Sequence, residues 1–94
     1  MTIASITVKV SQENIDRAVG PDLAYQILKL ALDEAGYPNA ELGVTTIWLN
    51  GINGCFYATM PPVVMRFKNA LARGFAPEPF FFDLDVKQIE GLRP

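Results

Sequence analysis

The segment VTTIWLNGINGCFYATM, residues 44–60, carries the clearest structural signal of the chain. It contains two runs rich in β-branched and aromatic residues, Val44–Leu49 and Cys55–Met60, separated by asparagine and glycine. This pattern predicts two antiparallel strands joined by a tight turn. Asn50-Gly51 and Asn53-Gly54 are both candidates for that turn, and a shift of one residue would exchange the two faces of the second strand.

The segments on either side of the hairpin add two further strands and two main helices. Ile3–Val10 and Phe80–Val86 alternate between apolar and polar residues, which is typical of strands buried on one face. Asp22–Ala35 has apolar residues at helical spacing, and so does the segment from Pro61 to Gly74. Ser11 is suited to cap a short helical turn that follows the first strand.

The order strand, helix, strand, strand, helix, strand is typical of the ferredoxin-like α+β sandwich. We therefore expect one domain over residues 1–94, with a four-stranded antiparallel sheet and both main helices on one of its faces. The expected strand order is 4-1-3-2, so the first strand would lie between the fourth and the third. Residues 87–94 are expected to form a C-terminal tail.

Alternation along the strands assigns a covered face and an open face to the sheet. The covered face would carry Ile6, Val8, Val10, Ile47, Leu49, Phe56, Ala58, Phe80, Phe82 and Leu84. The open face would carry Ser5, Thr7, Lys9, Thr46, Trp48, Cys55, Tyr57, Thr59, Phe81, Asp83 and Asp85. With the fourth strand beside the first, Lys9 is expected to neighbour Asp83 or Asp85.

Three aromatic residues on the open face, Trp48, Tyr57 and Phe81, are the candidate binding residues, with Lys9, Asp83 and Asp85 beside them. Large aromatic side chains are enriched at protein interfaces, so a protein partner or a second copy of the chain is one interpretation. Packing of Trp48 or Tyr57 under a loop or under the tail is another. Base stacking on RNA is disfavoured, because the two aspartates would repel phosphate.

Composition excludes several function classes. The 94 residues carry a net charge of −2, with eight scattered Lys and Arg and no basic stripe for nucleic acid. The absence of histidine removes the usual general base and metal ligand. The lone Cys55 and the Asp83–Asp85 pair are better explained as a small strand residue and as solvated carboxylates. We expect no catalytic residue, no metal, no cofactor and no nucleic-acid partner.

The N-terminus has no basic segment typical of a signal peptide, and no apolar run approaches the ~18 residues of a membrane span. We therefore expect no membrane association and a cytoplasmic location.

Several segments resemble a group of small uncharacterised proteins of actinobacteria and their phages. The resembling segments are Val8–Arg17, Ile27–Ala35, Met60–Phe67 and Gly74–Phe82. Where those proteins often have a histidine, three residues after a threonine, this chain has Asn14 after Ser11. Where they often have Cys-Pro at the first main helix, it has Tyr25-Gln26. Roles of that histidine and cysteine therefore do not transfer, and the resemblance implies a phage or prophage accessory protein without a specified activity.

Two functional hypotheses follow. The first is a non-catalytic protein-binding accessory factor that acts through the aromatic face, such as a phage-encoded inhibitor that occludes a host or defence protein in the bacterial cytoplasm. The alternative is a small-ligand binder, such as a nucleotide sponge, with its pocket at an oligomer interface.

Overall fold

The computed structural model describes residues 4–20, 22–51 and 54–88. Within these ranges the chain forms five strands and three helices: β1 Ala4–Val10, α1 Gln12–Arg17, α2 Leu23–Glu34, β2 Glu41–Leu42, β3 Thr46–Gly51, β4 Gly54–Thr59, α3 Pro62–Ala72 and β5 Phe80–Gln88. The predicted α+β class is confirmed. No helix among these residues has both the length and the apolar character needed to cross a membrane.

The sheet differs from the prediction in strand number and in strand order. Its order is β1-β5-β4-β3-β2, and all neighbouring strands are antiparallel. β1 thus lies at the edge of the sheet, whereas the expected ferredoxin-like order puts it between the last strand and the third. The extra strand is the two-residue β2, which pairs with β3.

The length of β5 explains the different order. β5 has nine residues, and its first part pairs with the whole of β1, from Val10 opposite Phe80 to Ala4 opposite Val86. Its last two residues, Lys87 and Gln88, are part of the predicted tail but pair with Tyr57 and Phe56 of β4. β5 therefore connects β1 to the β3–β4 hairpin. The rest of the expected tail, residues 89–94, lies outside the described residues.

The hairpin is antiparallel, as predicted, and its register pairs Trp48 with Tyr57 and Gly51 with Gly54. The two positions between the strands are therefore residues 52–53, which lie outside the described residues. Neither candidate Asn-Gly dipeptide occupies both of these positions. The predicted faces of β3 and β4 are nevertheless correct, since Ile47 lies opposite Ala58 and both are buried.

The covered face of the sheet packs against α2 and α3 as predicted. Of its ten expected residues, seven are buried and three are half-buried, the latter being Ile6, Phe56 and Phe80. The helices contribute the buried residues Ile27, Leu28, Ala31, Leu32 and Val64 to the same cluster. The apolar residues at helical spacing in α3, Val63, Phe67, Ala70 and Leu71, are half-buried, and Val64 is the fully buried residue of this helix.

Local signals define the helix ends. Ser11 caps α1 in a reciprocal arrangement: its hydroxyl accepts from the Asn14 backbone N–H (3.1 Å), and the Asn14 side-chain oxygen accepts from the Ser11 N–H (2.9 Å). Asp22 caps α2 by accepting from the Tyr25 N–H (3.2 Å). Gly36 follows α2 with a φ of +105°, a conformation that favours glycine over other residues.

Candidate binding face

The open face of the sheet has the composition that the alternation predicts. Its exposed residues are Ser5, Thr7, Lys9, Trp48, Thr59, Phe81, Asp83 and Asp85, and Thr46 and Tyr57 are half-buried. Cys55 lies in β4 opposite Asn50, but its side chain is outside the described part of the structure. The six predicted binding residues thus all lie on this face.

Trp48 and Tyr57 form the aromatic centre of the open face. They are directly opposite each other on β3 and β4, and their ring centroids are 6.0 Å apart at an interplanar angle of 41°. The indole edge lies close to the backbone of Gly43, where an added Cβ would be 3.7 Å from Trp48 Nε1. Trp48 nevertheless keeps 38% of its surface exposed. The described loops therefore support this ring pair without covering it.

One charged residue lies on each side of this aromatic pair. Glu41 of β2 is opposite Trp48, and Lys87 of β5 is opposite Tyr57. The register thus defines a transverse row across four strands: Glu41, Trp48, Tyr57, Lys87. With neighbouring strands about 4.8 Å apart, its two charged ends are about 14 Å apart along the sheet. We call these four residues the transverse row.

Neither charged end of the transverse row is among the binding residues predicted from the sequence. Glu41 lies in a two-residue strand, which is too short for an alternation signal. Lys87 does have such a signal, because Phe81, Asp83, Asp85 and Lys87 continue one alternation. The predicted tail, however, begins at residue 87, so Lys87 is not part of the predicted fourth strand.

Phe81 lies apart from the other two aromatic residues. It is opposite Lys9, in the part of β5 that pairs with β1. Six residues of extended strand, about 20 Å, separate it from Lys87 at the end of the transverse row. Phe81 is 62% exposed. The open face thus has two aromatic sites rather than one.

The expected pairing of Lys9 with Asp83 or Asp85 is corrected by the register. Phe81 lies directly opposite Lys9, Asp83 opposite Thr7, and Asp85 opposite Ser5. The hydroxyl of Thr7 donates a hydrogen bond to Asp83. The cross-strand partner of this carboxylate is therefore a threonine, and Lys9 is only its diagonal neighbour.

The helical side carries a second surface of interest. Arg66, Asn69 and Arg73 of α3 and its C-terminal end are all exposed, and their spacing of three and four residues aligns them. Together with Phe75 they line a hollow of about 550 Å³. Among the described residues, neither guanidinium group has an ion-pair or hydrogen-bond partner. These two arginines, seven residues apart in the sequence, thus line one hollow of the surface.

Across the described ranges, no three Cys, Asp or Glu side chains come together as metal ligands would. No family model, no curated protein and no solved structure matches this chain.

Proposed function

We propose that this chain is a non-catalytic protein-binding module that recognises its partner through the open face of the sheet. Trp48 and Tyr57 would be the main anchor, and Phe81 a second one. The observation that carries the proposal is the ring pair of Trp48 and Tyr57, which lies at the middle of four strands with the indole still exposed. Trp and Tyr are the residues most often found at the energetic centre of protein interfaces.

The surroundings of the second anchor, Phe81, support the same proposal. Lys9 and Asp83 lie beside Phe81, and Asp85 follows along the same strand. Exposed charges near an apolar anchor affect partner choice and association rate more than affinity. We therefore assign Lys9, Asp83 and Asp85 to the rim of the interface. The resemblance to small phage and actinobacterial proteins suggests a cytoplasmic accessory factor that inhibits a host protein by occlusion.

The test uses Trp48→Thr, which removes the ring but keeps a residue suited to a strand. Phe75→Thr is the matched control, because Phe75 is 62% exposed but lies after α3 on the helical side. Each variant and the wild type would be used to capture proteins from bacterial extract, followed by quantitative mass spectrometry. We expect at least one protein to bind the wild type and Phe75→Thr and to be lost with Trp48→Thr.

A purified partner then provides a direct measurement. Trp48 is the only tryptophan of the chain, so its fluorescence reports on this surface alone. A partner without tryptophan should shift the emission to shorter wavelength and protect the indole from iodide quenching. Partners that bind all three proteins equally, and leave the fluorescence unchanged, would contradict the proposal.

A second candidate function is the binding of a small anionic ligand at α3. It is supported by the two aligned arginines, which have no described counter-charge and have Phe75 beside them for stacking. Equilibrium dialysis with ATP would test this function on the wild type and on the double variant Arg66→Gln/Arg73→Gln. Arg17→Gln is the control, because Arg17 already has Glu13 and Glu34 as partners. Equal retention of ATP by all three proteins would exclude this site.

A further inference from the structure

The transverse row is self-complementary. It reads acid, Trp, Tyr, base across the strands. Rotation by 180° about an axis parallel to the strands, between Trp48 and Tyr57, reverses this order. A second row related by that axis therefore puts an acid over each base and a tyrosine over each tryptophan. Isologous dimers require this kind of reciprocal match, in which residue i meets residue j and residue j meets residue i.

We infer that the partner of the open face is a second copy of this chain, related by this two-fold axis. This inference rests on the proposed function, since it requires the open face to be a protein-binding surface. Glu41 of each copy would face the partner subunit's Lys87, and Trp48 would pack on the partner subunit's Tyr57. The arrangement would join two sheets face to face, about 10 Å apart, as in aligned sheet packing.

The distribution of charge and size on the row fits such an interface. Its middle is aromatic and its ends are charged, which matches the apolar centre and polar rim of protein interfaces. The adjacent row has Thr46 opposite Thr59, two small neutral residues that leave room for a second sheet. No like charges meet at the row under the proposed rotation.

The small size of the surface predicts a weak dimer. Four strands about 4.8 Å apart cover a width of about 19 Å, and six residues of strand cover about 20 Å. Such a face measures about 380 Å² on each copy, so the dimer would bury about 760 Å² in total. This area is below the ~1,200 Å² at which standard specific interfaces begin and is typical of weak, transient contacts. We therefore expect dissociation in the micromolar range, reached by sedimentation velocity at concentrations up to about 1 mM.

A charge swap distributed over two chains is the decisive experiment. In a dimer of Glu41→Lys, both charged contacts become Lys against Lys, and in a dimer of Lys87→Glu both become Glu against Glu. In the mixed dimer, every charged contact again joins an acid to a base. Each variant alone should dimerise about tenfold more weakly than the wild type, and an equimolar mixture should recover dimerisation. Native mass spectrometry identifies the mixed species by mass.

The chain offers matched controls. Asp33→Lys changes the net charge as Glu41→Lys does, but its site is on the exposed side of α2. This variant should dimerise as the wild type does. It should not associate preferentially with Lys87→Glu. Trp48→Thr should remove dimerisation. Raising the salt concentration to about 0.5 M should reduce the difference between single variants and mixture, because exposed charges are screened.

Three results would overturn the inference. The first is a wild type that stays monomeric at about 1 mM, the second is a mixture that dimerises no better than its components, and the third is a Trp48→Thr variant that dimerises normally. The proposed function is judged separately, by the Trp48 dependence of captured proteins other than the chain itself. A monomeric wild type with such a partner would refute the second copy and leave the binding face in place.

Discussion

Replacement of Phe82 by alanine tests the assignment of the two faces of β5, on which the candidate binding face depends. Phe82 is only 3% exposed and lies in the core. Its ring centroid is 5.8 Å from that of Phe80, and Phe80 in turn contacts Phe67 at 4.8 Å. Truncation of a buried phenylalanine costs about 3–5 kcal/mol through lost transfer free energy and the cavity left behind.

Phe81 is the matched control, because it is the same residue type at the next position of the same strand. It is 62% exposed and points to the other face. Most of its surface is already in water, so we expect Phe81→Ala to change the free energy of unfolding by about 0.5 kcal/mol. The two neighbouring substitutions should therefore differ by about 3 kcal/mol, which is larger than any general effect of losing a strand aromatic.

Urea denaturation followed by Trp48 fluorescence and far-UV circular dichroism would measure both variants. A domain of 94 residues has a total stability of about 5–14 kcal/mol, so Phe82→Ala removes a large fraction of it. If that variant is too unstable to measure, Phe82→Leu should show the same direction with a smaller loss, because leucine fills part of the volume. Equal losses for Phe81→Ala and Phe82→Ala, or a larger loss for Phe81→Ala, would refute the face assignment.

Three further substitutions test local features by the same denaturation assay. Ser11→Ala should lose about 1 kcal/mol, because it removes the acceptor of the Asn14 N–H at the start of α1; an unchanged midpoint would show that this cap is dispensable. Phe67→Ala should cost less than Phe82→Ala, since Phe67 is only half-buried; an equal or larger loss would contradict this ranking. Gly36→Ala should cost more than about 1 kcal/mol because of its positive φ, although no atom lies within 4 Å of an added Cβ; a gain in stability would exclude this explanation.

Alternation along each strand predicts which side chains face the core, and it does so without knowledge of the neighbouring strands. The hairpin illustrates why. The sequence predicts a turn at an Asn-Gly dipeptide, whereas the strands extend to Gly51 and Gly54. The faces of Trp48 and Tyr57 were still correct, because the side-chain period of two is a property of each strand. Faces are thus a local result, and they survive an error in the turn.

The order of the strands is not a local result. β1 and β5 are adjacent as expected, but the sequence has no signal for whether β1 or β5 lies beside β4. The choice depends on the length of β5 and on two residue pairs at its end, Lys87 with Tyr57 and Gln88 with Phe56. Two-residue pairings such as these, and the short β2, depend on tertiary packing more than on intrinsic propensity.

The candidate site was predicted in part for the same reason. The faces of Trp48, Tyr57 and Phe81 follow from alternation, but their mutual distances follow from strand order and register. Phe81 lies near Lys9 and far from the ring pair because β5 pairs with β1 first and with β4 only at its end. The same consideration applies to Arg66 and Arg73. Their alignment requires both to be on the exposed side of α3, and the sequence alone does not define which side that is.

The strand order is also what creates the transverse row. In the expected order, β1 would lie beside β4, and Tyr57 would have a residue of β1 as its neighbour on the open face. The candidates for that neighbour are Ser5, Thr7 and Lys9. Lys87 would not be beside Tyr57 in that order. Because β5 instead takes the place beside β4, Lys87 completes a row that Glu41 begins. The correction to the fold and the inferred dimer therefore depend on the same two residue pairs, so a Lys87 variant that leaves the fold unchanged and alters association connects the topology to function.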